Sequence, residues 1–139
     1  PKELKNNFKL IKLLQMNFRR TKGSIWTAMS LTSYVSAIGV GMYGRRRVDF
    51  STDFTYNKYH FGVMNNLLCG AGLMLCAKMV VPWHAGMCFN SAILFLSLPG
   101  IYEGYKDIHN DPYEGDTSKY RKFGFFCLFT GYAIIWKKY

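Results

Sequence analysis

The sequence predicts an all-α membrane protein, a bundle of four transmembrane helices with an amphipathic helix at its N-terminus. Half of the 139 residues are hydrophobic and 17% are aromatic, whereas 19% are charged. The charges lie in blocks separated by long uncharged runs, although a soluble basic domain spreads its charges along amphipathic helices. Aromatic residues recur near the ends of these runs, as they do at membrane surfaces. This length accommodates a single transmembrane domain, residues 23–139, after a short arm.

Residues 1–22 are predicted to form that arm, which is basic and amphipathic. Leu4, Phe8 and Ile11 fall on one helical face. Four lysines flank this face: Lys2, Lys5, Lys9 and Lys12. Such a helix lies on a membrane surface or against a partner. A mitochondrial presequence has the same character, but the acidic Glu3 favours a retained arm over the remainder of a presequence.

The first span is predicted at about residues 23–43, an uncharged run long enough to cross a bilayer. Ser33, Ala37 and Gly41 recur every four residues. A ridge of small residues lets another helix approach closely, so these three are expected at a helix-packing face. The alternative is composition alone, because small residues are common in membrane helices.

Three consecutive arginines follow the first span: Arg45, Arg46 and Arg47. Arginine binds phosphate or carboxylate through two parallel hydrogen bonds. Together with Lys5, Lys9 and Lys12, the triplet is therefore predicted to contact anionic lipid or an acidic partner surface. A simple stop-transfer anchor explains the triplet equally well.

The second span, about residues 60–81, is predicted to be the central helix of the bundle. Gly62 and Gly70 provide small contact surfaces on the face that also carries Asn66. An amide in hydrocarbon needs a hydrogen-bond partner, so Asn66 and its neighbour Asn65 should face protein. We expect Gly62, Asn66 and Gly70 to form a helix-packing face.

Pro82 separates the second span from the third, which is predicted at about residues 83–102. Residues 103–122 are rich in charge and are predicted to form a solvated loop. A cation site in this loop is the alternative, but the spacing of its acidic residues does not fit a calcium-binding EF-hand loop. The fourth span is predicted at about residues 121–137. This run is short, so a half-buried helix is its alternative.

Four spans place both termini on the same side of the membrane. Three tryptophans then mark that side: Trp26, Trp83 and Trp136. Four tyrosines mark the opposite side: Tyr43, Tyr59, Tyr102 and Tyr120. Lys and Arg are slightly more numerous on the terminal side, which favours a matrix or cytoplasmic location for the termini.

The sequence predicts no catalytic, cofactor-binding or metal-binding residues. His60 and His84 begin antiparallel spans and therefore lie near opposite membrane faces. The four cysteines lie within apolar runs and are expected to be small buried residues. The net charge of +10 would suit nucleic acid, but the basic residues border apolar spans, where anionic headgroups are the expected partner. We therefore expect neither an enzyme nor a nucleic-acid-binding protein.

Residues 56–68, YNKYHFGVMNNLL, resemble the most recognisable part of the transmembrane protein 256 family. These small four-span proteins are also described as domain of unknown function 423. The specific part of the resemblance runs from Asn57 through Tyr59 and His60 to Phe61, and those four are the family-motif residues. The likeness extends over about residues 25–136.

The chain departs from this family at two histidines. A turn histidine of the family is replaced within Arg45 to Arg47, and Val63 stands in place of a second. The resemblance implies a mitochondrial location and no established reaction. The function predicted is that of a non-catalytic accessory subunit of a respiratory-chain complex in the mitochondrial inner membrane. Its expected partners are other membrane subunits and anionic phospholipid such as cardiolipin, with no small-molecule substrate.

The alternative function is that of a stand-alone membrane transporter or channel-like protein. In this interpretation Asn65, Asn66 and Asn90 line a polar path between the helices. Polar contacts between helices explain the same three residues. The sequence alone leaves both interpretations open.

Overall fold

A computed structural model describes residues 2–47, 53–79, 81–109, 111 and 115–139. Every regular element in these ranges is helical. The α-helices are α1 (Lys2–Arg47), α2 (Asp53–Lys78), α3 (Trp83–Ala92), α4 (Leu98–Ile108) and α5 (Ser118–Lys138). A π-helical turn, Ile93–Ser97, joins α3 and α4 into one continuous segment.

Three helical segments are long and apolar enough to cross a membrane: Lys9–Arg46, Lys58–Lys78 and Trp83–Ile108. The prediction of an all-helical chain compatible with a multi-pass membrane protein is therefore confirmed. Helix α5 is not among the three. The number of spans and the separate amphipathic helix remain predictions.

Helix α1 is continuous through residues 22 and 23, where the sequence analysis placed the boundary between arm and first span. The ammonium group of Lys22 donates a hydrogen bond to the backbone carbonyl of Val81, in the turn between α2 and α3. Residues before Lys22 consequently extend beyond the end of α2. We call this part of α1, residues 2–21, the N-terminal overhang.

Helix α2 lies at the centre, since it contacts α1, α3, α4 and α5. It runs antiparallel to α1, because Gly23 lies beside Ala77 and Gly44 beside Tyr59. It begins at Asp53, earlier than predicted, and ends at Lys78.

The third helical segment is longer than the predicted span of residues 83–102. It begins directly after Pro82, as predicted, and continues to Ile108. A proline ring clashes with the carbonyl four residues earlier in an α-helix. The π-helical turn widens the helix just before Pro99, so the chain passes this proline without ending. The solvated-loop prediction is therefore wrong for residues 103–108, and the loop begins only after them.

Helix α5 packs antiparallel along the third segment. Gly124 lies against Leu96, and Gly131 lies against the ring of Phe89. The Ser118 backbone N–H donates to Asp116 Oδ1 at 2.9 Å. This hydrogen bond to the exposed carboxylate lowers the pKa of Asp116. The core beneath α5 contains the fully buried side chains of Leu73, Phe89 and Leu96.

Candidate functional site

A seam of polar side chains joins α1 to α2 near the middle of both helices. The Ser33 hydroxyl lies 2.7 Å from Asn66 Oδ1 and 2.9 Å from the Asn66 carbonyl. The Asn66 amide donates to Ser36 Oγ at 3.2 Å. One helical turn further on, Ser30 donates to the Gly70 carbonyl at 2.7 Å. The seam satisfies these buried polar groups inside the bundle, as hydrocarbon requires.

The other predicted packing residues divide between two faces of α2. Ala37 is fully buried, and a Cβ atom at Gly41 would lie 3.4 Å from Val63 Cγ1, so both belong to the contact of α1 with α2. Gly62 instead faces α4, because a Cβ atom there would lie 2.7 Å from the Ile101 nitrogen. Gly70 lies beside Ser33 of α1.

A buried carboxylate lies at the end of the bundle where α2 begins and α4 ends. Glu103 on α4 is 5% exposed. Its Oε2 lies 4.0 Å from Lys58 Nζ on α2 and 3.8 Å from Arg121 on α5. The Thr117 hydroxyl donates to Oε1 of the same carboxylate. Glu103 thus connects α2, α4 and the start of α5.

This cluster was not predicted from the sequence, because Glu103 falls within residues 103–122, which were predicted to form a solvated loop. Lys58 also pairs with Asp107 at 3.4 Å, one turn beyond Glu103 on α4. The spacing of these two acids was the available signal, since residues four apart lie on one face of a helix. The first proline after Pro99 is Pro112, so no proline separates the third span from Asp107.

A groove runs between α1 and the α3–α4 segment, with α2 as its floor; we call it the α1–α4 groove. Its larger chamber has a volume of about 910 Å³ and contains Val40, Leu94 and Ile101. A smaller chamber of about 330 Å³ contains Asn66 and Asn90. Leu98 lines both chambers, so the two lie next to each other along the groove.

Tyrosines surround the larger chamber. Five of them line it: Tyr43, Tyr59, Tyr102, Tyr105 and Tyr120. Four of these are the tyrosines that the sequence analysis assigned to one membrane surface. The Tyr43 and Tyr105 rings stack across the groove with their centres 6.1 Å apart. At the other end of the bundle, the Trp26 and Trp83 rings lie 4.5 Å apart. Aromatic pairs therefore join α1 to the third segment at both ends.

The basic residues singled out in the sequence lie at different places. Arg45 lines a small pocket with His60 and Met64, away from the α1–α4 groove. Arg46 is exposed at the end of α1, as are Lys9 and Lys12 on the overhang. The side chains of Arg47 and Lys5 lie outside the described residues.

The family-motif residues serve different contacts. Tyr59 is buried, and its hydroxyl donates to the Val40 carbonyl at 2.5 Å. The Phe61 ring lies 5.7 Å from that of Phe125 on α5. His60 is exposed and lines the pocket of Arg45. The side chain of Asn57 is outside the described residues.

The overhang exposes apolar side chains on more than one face. Every side chain described there, from residue 9 to residue 18, is exposed. The apolar ones are Leu10, Ile11, Leu13, Leu14, Met16 and Phe18. A stripe on a single helical face would be amphipathic, whereas these residues surround much of the helix.

The part of the chain that the structure describes contains no group of three or more His, Cys, Asp or Glu side chains suited to bind a metal ion. Cys69, Cys76 and Cys127 are buried, and Cys88 is half-buried. Protein-family models, curated proteins and solved structures give no match to this chain. The resemblance to the transmembrane protein 256 family therefore stays a prediction.

Proposed function

We propose that this chain is a non-catalytic accessory subunit of a larger assembly in the mitochondrial inner membrane, namely a respiratory-chain complex. The N-terminal overhang is the observation that carries the proposal. Leu14 is 61% exposed and Phe18 is 65% exposed, although both lie in a regular helix. Burying two such side chains contributes about 1.5–3 kcal/mol each. A partner that covers the overhang therefore gains substantial binding energy.

The length of the overhang supports the same conclusion. Its twenty residues, 2–21, extend roughly 30 Å at the usual helical rise. Most helical stability in proteins comes from packing an apolar face against other structure. The described side chains of the overhang, residues 9–18, are all exposed, so none of them is buried against its own bundle. Another subunit supplies that surface in our proposal, and the lysines remain at the edge of the contact.

We place four spans in the membrane, with α5 as the fourth. Helix α5 has 21 residues, which correspond to about 31 Å and match the hydrocarbon thickness. It packs antiparallel along a segment that is apolar enough to cross, so the two share the same depth. Basic residues at both ends of α5 can extend to the headgroups. Both termini then lie on one side, and the small excess of Lys and Arg there favours the matrix.

The choice of membrane rests on the sequence. The resemblance to the transmembrane protein 256 family implies mitochondria, and the basic N-terminal arm agrees with that location. A small bundle with polar helix contacts and without a recognisable catalytic set is typical of a subunit that acts in assembly or stability. Anionic phospholipid is a further partner in this proposal.

The three asparagines that a transporter would place along a polar path all form hydrogen bonds within the bundle. The Asn65 amide donates to the Phe61 carbonyl at 2.8 Å within α2. Asn66 contacts Ser33 and Ser36, as described above. The Asn90 amide donates to the Gly86 carbonyl at 3.1 Å. Each amide thus stabilises helices, and a polar path would require these groups to exchange partners.

The test is co-purification of the tagged chain from mitochondrial membranes in a mild detergent, with native mass analysis of the complexes. Deleting residues 1–14 should release the chain from the assembly while the bundle stays folded. The double variant Leu14→Gln with Phe18→Gln should lower the amount of co-purified partner at least about tenfold.

The matched control is Lys9→Gln with Lys12→Gln, which changes the charge of the overhang and keeps its apolar side chains. This control should lose little partner, because exposed ion pairs contribute little to binding. Thermal unfolding of each isolated variant checks that the bundle is intact. A wild-type chain that purifies alone, or a folded deletion variant that assembles normally, would contradict the accessory-subunit proposal.

A further inference from the structure

The α1–α4 groove combines an apolar interior with a polar end. Val40, Leu94, Leu98 and Ile101 line its larger chamber, and tyrosines form the rim. The volume of about 910 Å³ lies within the range of roughly 300–1,000 Å³ that is usual for ligand sites. An open apolar groove on a membrane-compatible bundle faces lipid, so its natural occupants come from the bilayer.

The length of the groove matches a lipid chain. On α1 the two chambers extend from Ala28 to Tyr43, which corresponds to roughly 23 Å along the helix. One leaflet of the hydrocarbon core is about 15 Å deep. The groove is therefore longer than one leaflet is deep. An acyl chain from the leaflet on the tyrosine side can lie in the groove from the headgroup level to the bilayer midplane.

The polar groups inside the smaller chamber do not oppose an acyl chain. The Thr32 hydroxyl donates to the Ala28 carbonyl, and the Ser36 hydroxyl donates to the Ser33 carbonyl. The Asn90 amide donates to the Gly86 carbonyl. These donors are satisfied within the protein, so covering them with hydrocarbon leaves no donor without a partner.

Positive charge lies beyond the tyrosine end of the groove. Arg46 follows Tyr43 by three residues, so both side chains lie on the same face of α1. Arg46 is exposed and makes no ion pair with a described residue. The acids nearby on α4 are already paired, because Glu103 and Asp107 face Lys58.

Two tyrosine hydroxyls at this end are also available. Tyr105 and Tyr120 are 42% and 57% exposed, and their hydroxyls form no hydrogen bond with a described residue. Tyrosine is common at headgroup level, where its ring contacts the chains and its hydroxyl contacts polar groups. The groove thus offers an apolar channel, hydroxyl donors and a cation in the order in which a phospholipid presents its chain, ester groups and phosphate.

We propose that the α1–α4 groove binds one anionic phospholipid, with an acyl chain between α1 and α4 and the phosphate at Arg46. This proposal rests on the membrane location in the proposed function and assigns the lipid to a defined site. It needs no partner subunit, so it can fail while the accessory-subunit proposal holds, and the reverse is equally possible.

The test uses the full chain, delipidated in detergent and then titrated with dioleoyl phosphatidylglycerol or dioleoyl phosphatidylcholine in mixed micelles. Native mass spectrometry counts the bound lipids. The wild-type chain should bind one phosphatidylglycerol more tightly than phosphatidylcholine. Arg46→Gln should weaken phosphatidylglycerol binding about fivefold, which corresponds to about 1 kcal/mol for one basic residue near the headgroups.

Arg45→Gln is the matched control, because Arg45 lines the pocket of His60 on another side of α1. It removes the same charge from the next residue and should leave lipid binding unchanged. Gly39→Leu fills the groove from the α1 wall and should prevent binding of both lipids. A Cβ atom at Gly39 meets nothing within 4 Å, so this variant is expected to fold.

Three outcomes would overturn the proposal. The first is phosphatidylglycerol binding that Gly39→Leu and Arg46→Gln leave intact. The second is an equal loss in Arg45→Gln and Arg46→Gln, which indicates attraction by surface charge without a defined site. The third is a polypeptide that occupies the groove in native complexes and is displaced by Gly39→Leu, which assigns the groove to a partner helix.

Discussion

The two sides of α2 are held by different forces. Toward α1, hydroxyl and amide groups connect the helices, as between Ser33 and Asn66. Toward α3 and α4, glycines bring backbones into direct contact: a Cβ atom at Gly104 would lie 2.6 Å from Tyr59 Cβ and 2.8 Å from its nitrogen. The contact with α1 therefore includes specific hydrogen bonds, whereas the contact with α4 depends on the absence of side chains between the backbones.

This difference indicates which side of α2 should tolerate amino-acid substitutions better. A lost hydrogen bond between membrane helices costs little, because the separated helices find other partners. An added atom between two backbones has no low-energy position, because main-chain atoms cannot rotate away as a flexible side chain can. We therefore expect the glycine side of α2 to be the more sensitive of the two.

The largest effect is expected from Gly62→Ala. The new methyl group would lie 2.7 Å from the Ile101 nitrogen and 2.9 Å from the Ser97 carbonyl oxygen. Such overpacking costs about 1–3 kcal/mol, so the thermal unfolding midpoint in detergent should fall by several degrees.

The same substitution at Gly39 sharpens the comparison. Gly39 also lies within a helix, but a Cβ atom there meets nothing. Alanine is favoured over glycine in a helix by about 0.5–1 kcal/mol, so Gly39→Ala should raise the unfolding midpoint. A Gly62→Ala variant that is as stable as Gly39→Ala would show that the two sides of α2 do not differ in this way.

The next largest loss of stability is expected at Glu103, a charged residue on the side of α2 where glycines otherwise form the contacts. Glu103→Gln keeps the shape of the side chain but removes the charge that faces Lys58 and Arg121. The Thr117 hydroxyl donates a hydrogen bond to this carboxylate, and hydrogen bonds to charged groups contribute about 1.5–3 kcal/mol, so we expect a loss of stability near 2 kcal/mol. Chemical unfolding of the detergent-solubilised chain measures it.

Asp111→Asn is the control for this prediction. Asp111 pairs with Lys106, but its side chain is 66% exposed. An exposed ion pair has little effect on stability, so this variant should unfold like the wild type. Equal losses in the two variants would indicate that burial does not distinguish the Glu103 cluster from a surface pair.

The sequence predicted the features that depend on local composition. Uncharged runs indicate helices that can cross a membrane, and Pro82 marks the turn before α3. The continuity of α1 across residues 22 and 23 was harder to predict. Gly23 lies between the basic arm and an apolar run, and this change of composition suggested a boundary, but a single glycine lowers helix stability by only about 1 kcal/mol and does not interrupt α1.

Glu103 shows why the partners in the site could not be predicted from the sequence. Its partners, Lys58 and Arg121, lie on other helices and are distant in the chain. Charge density alone favoured a solvated loop for residues 103–122. Only the packing of α2, α4 and α5 creates the buried position in which this carboxylate connects three elements. The α1–α4 groove likewise depends on the spacing of helices, which no local pattern encodes.

The smallest effect is expected on the hydrogen-bonded side of α2. Asn66→Leu removes the amide that contacts Ser33 and Ser36. Measured hydrogen bonds between membrane helices average well below 2 kcal/mol, so we expect a loss of about 1 kcal/mol in the free energy of unfolding. The measurement is a double-mutant cycle with Ser33→Ala, which isolates the contact between the two side chains.

Asn65 provides the matched comparison. It is as buried as Asn66, at 4% exposed, but its amide donates to the Phe61 carbonyl of its own helix. The effects of Asn65→Leu and Ser33→Ala should add, because these two side chains form no hydrogen bond with each other, whereas those of Asn66→Leu and Ser33→Ala should not. If both cycles are additive, the seam between α1 and α2 is held by shape rather than by hydrogen bonds, and the two sides of α2 then rest on the same force.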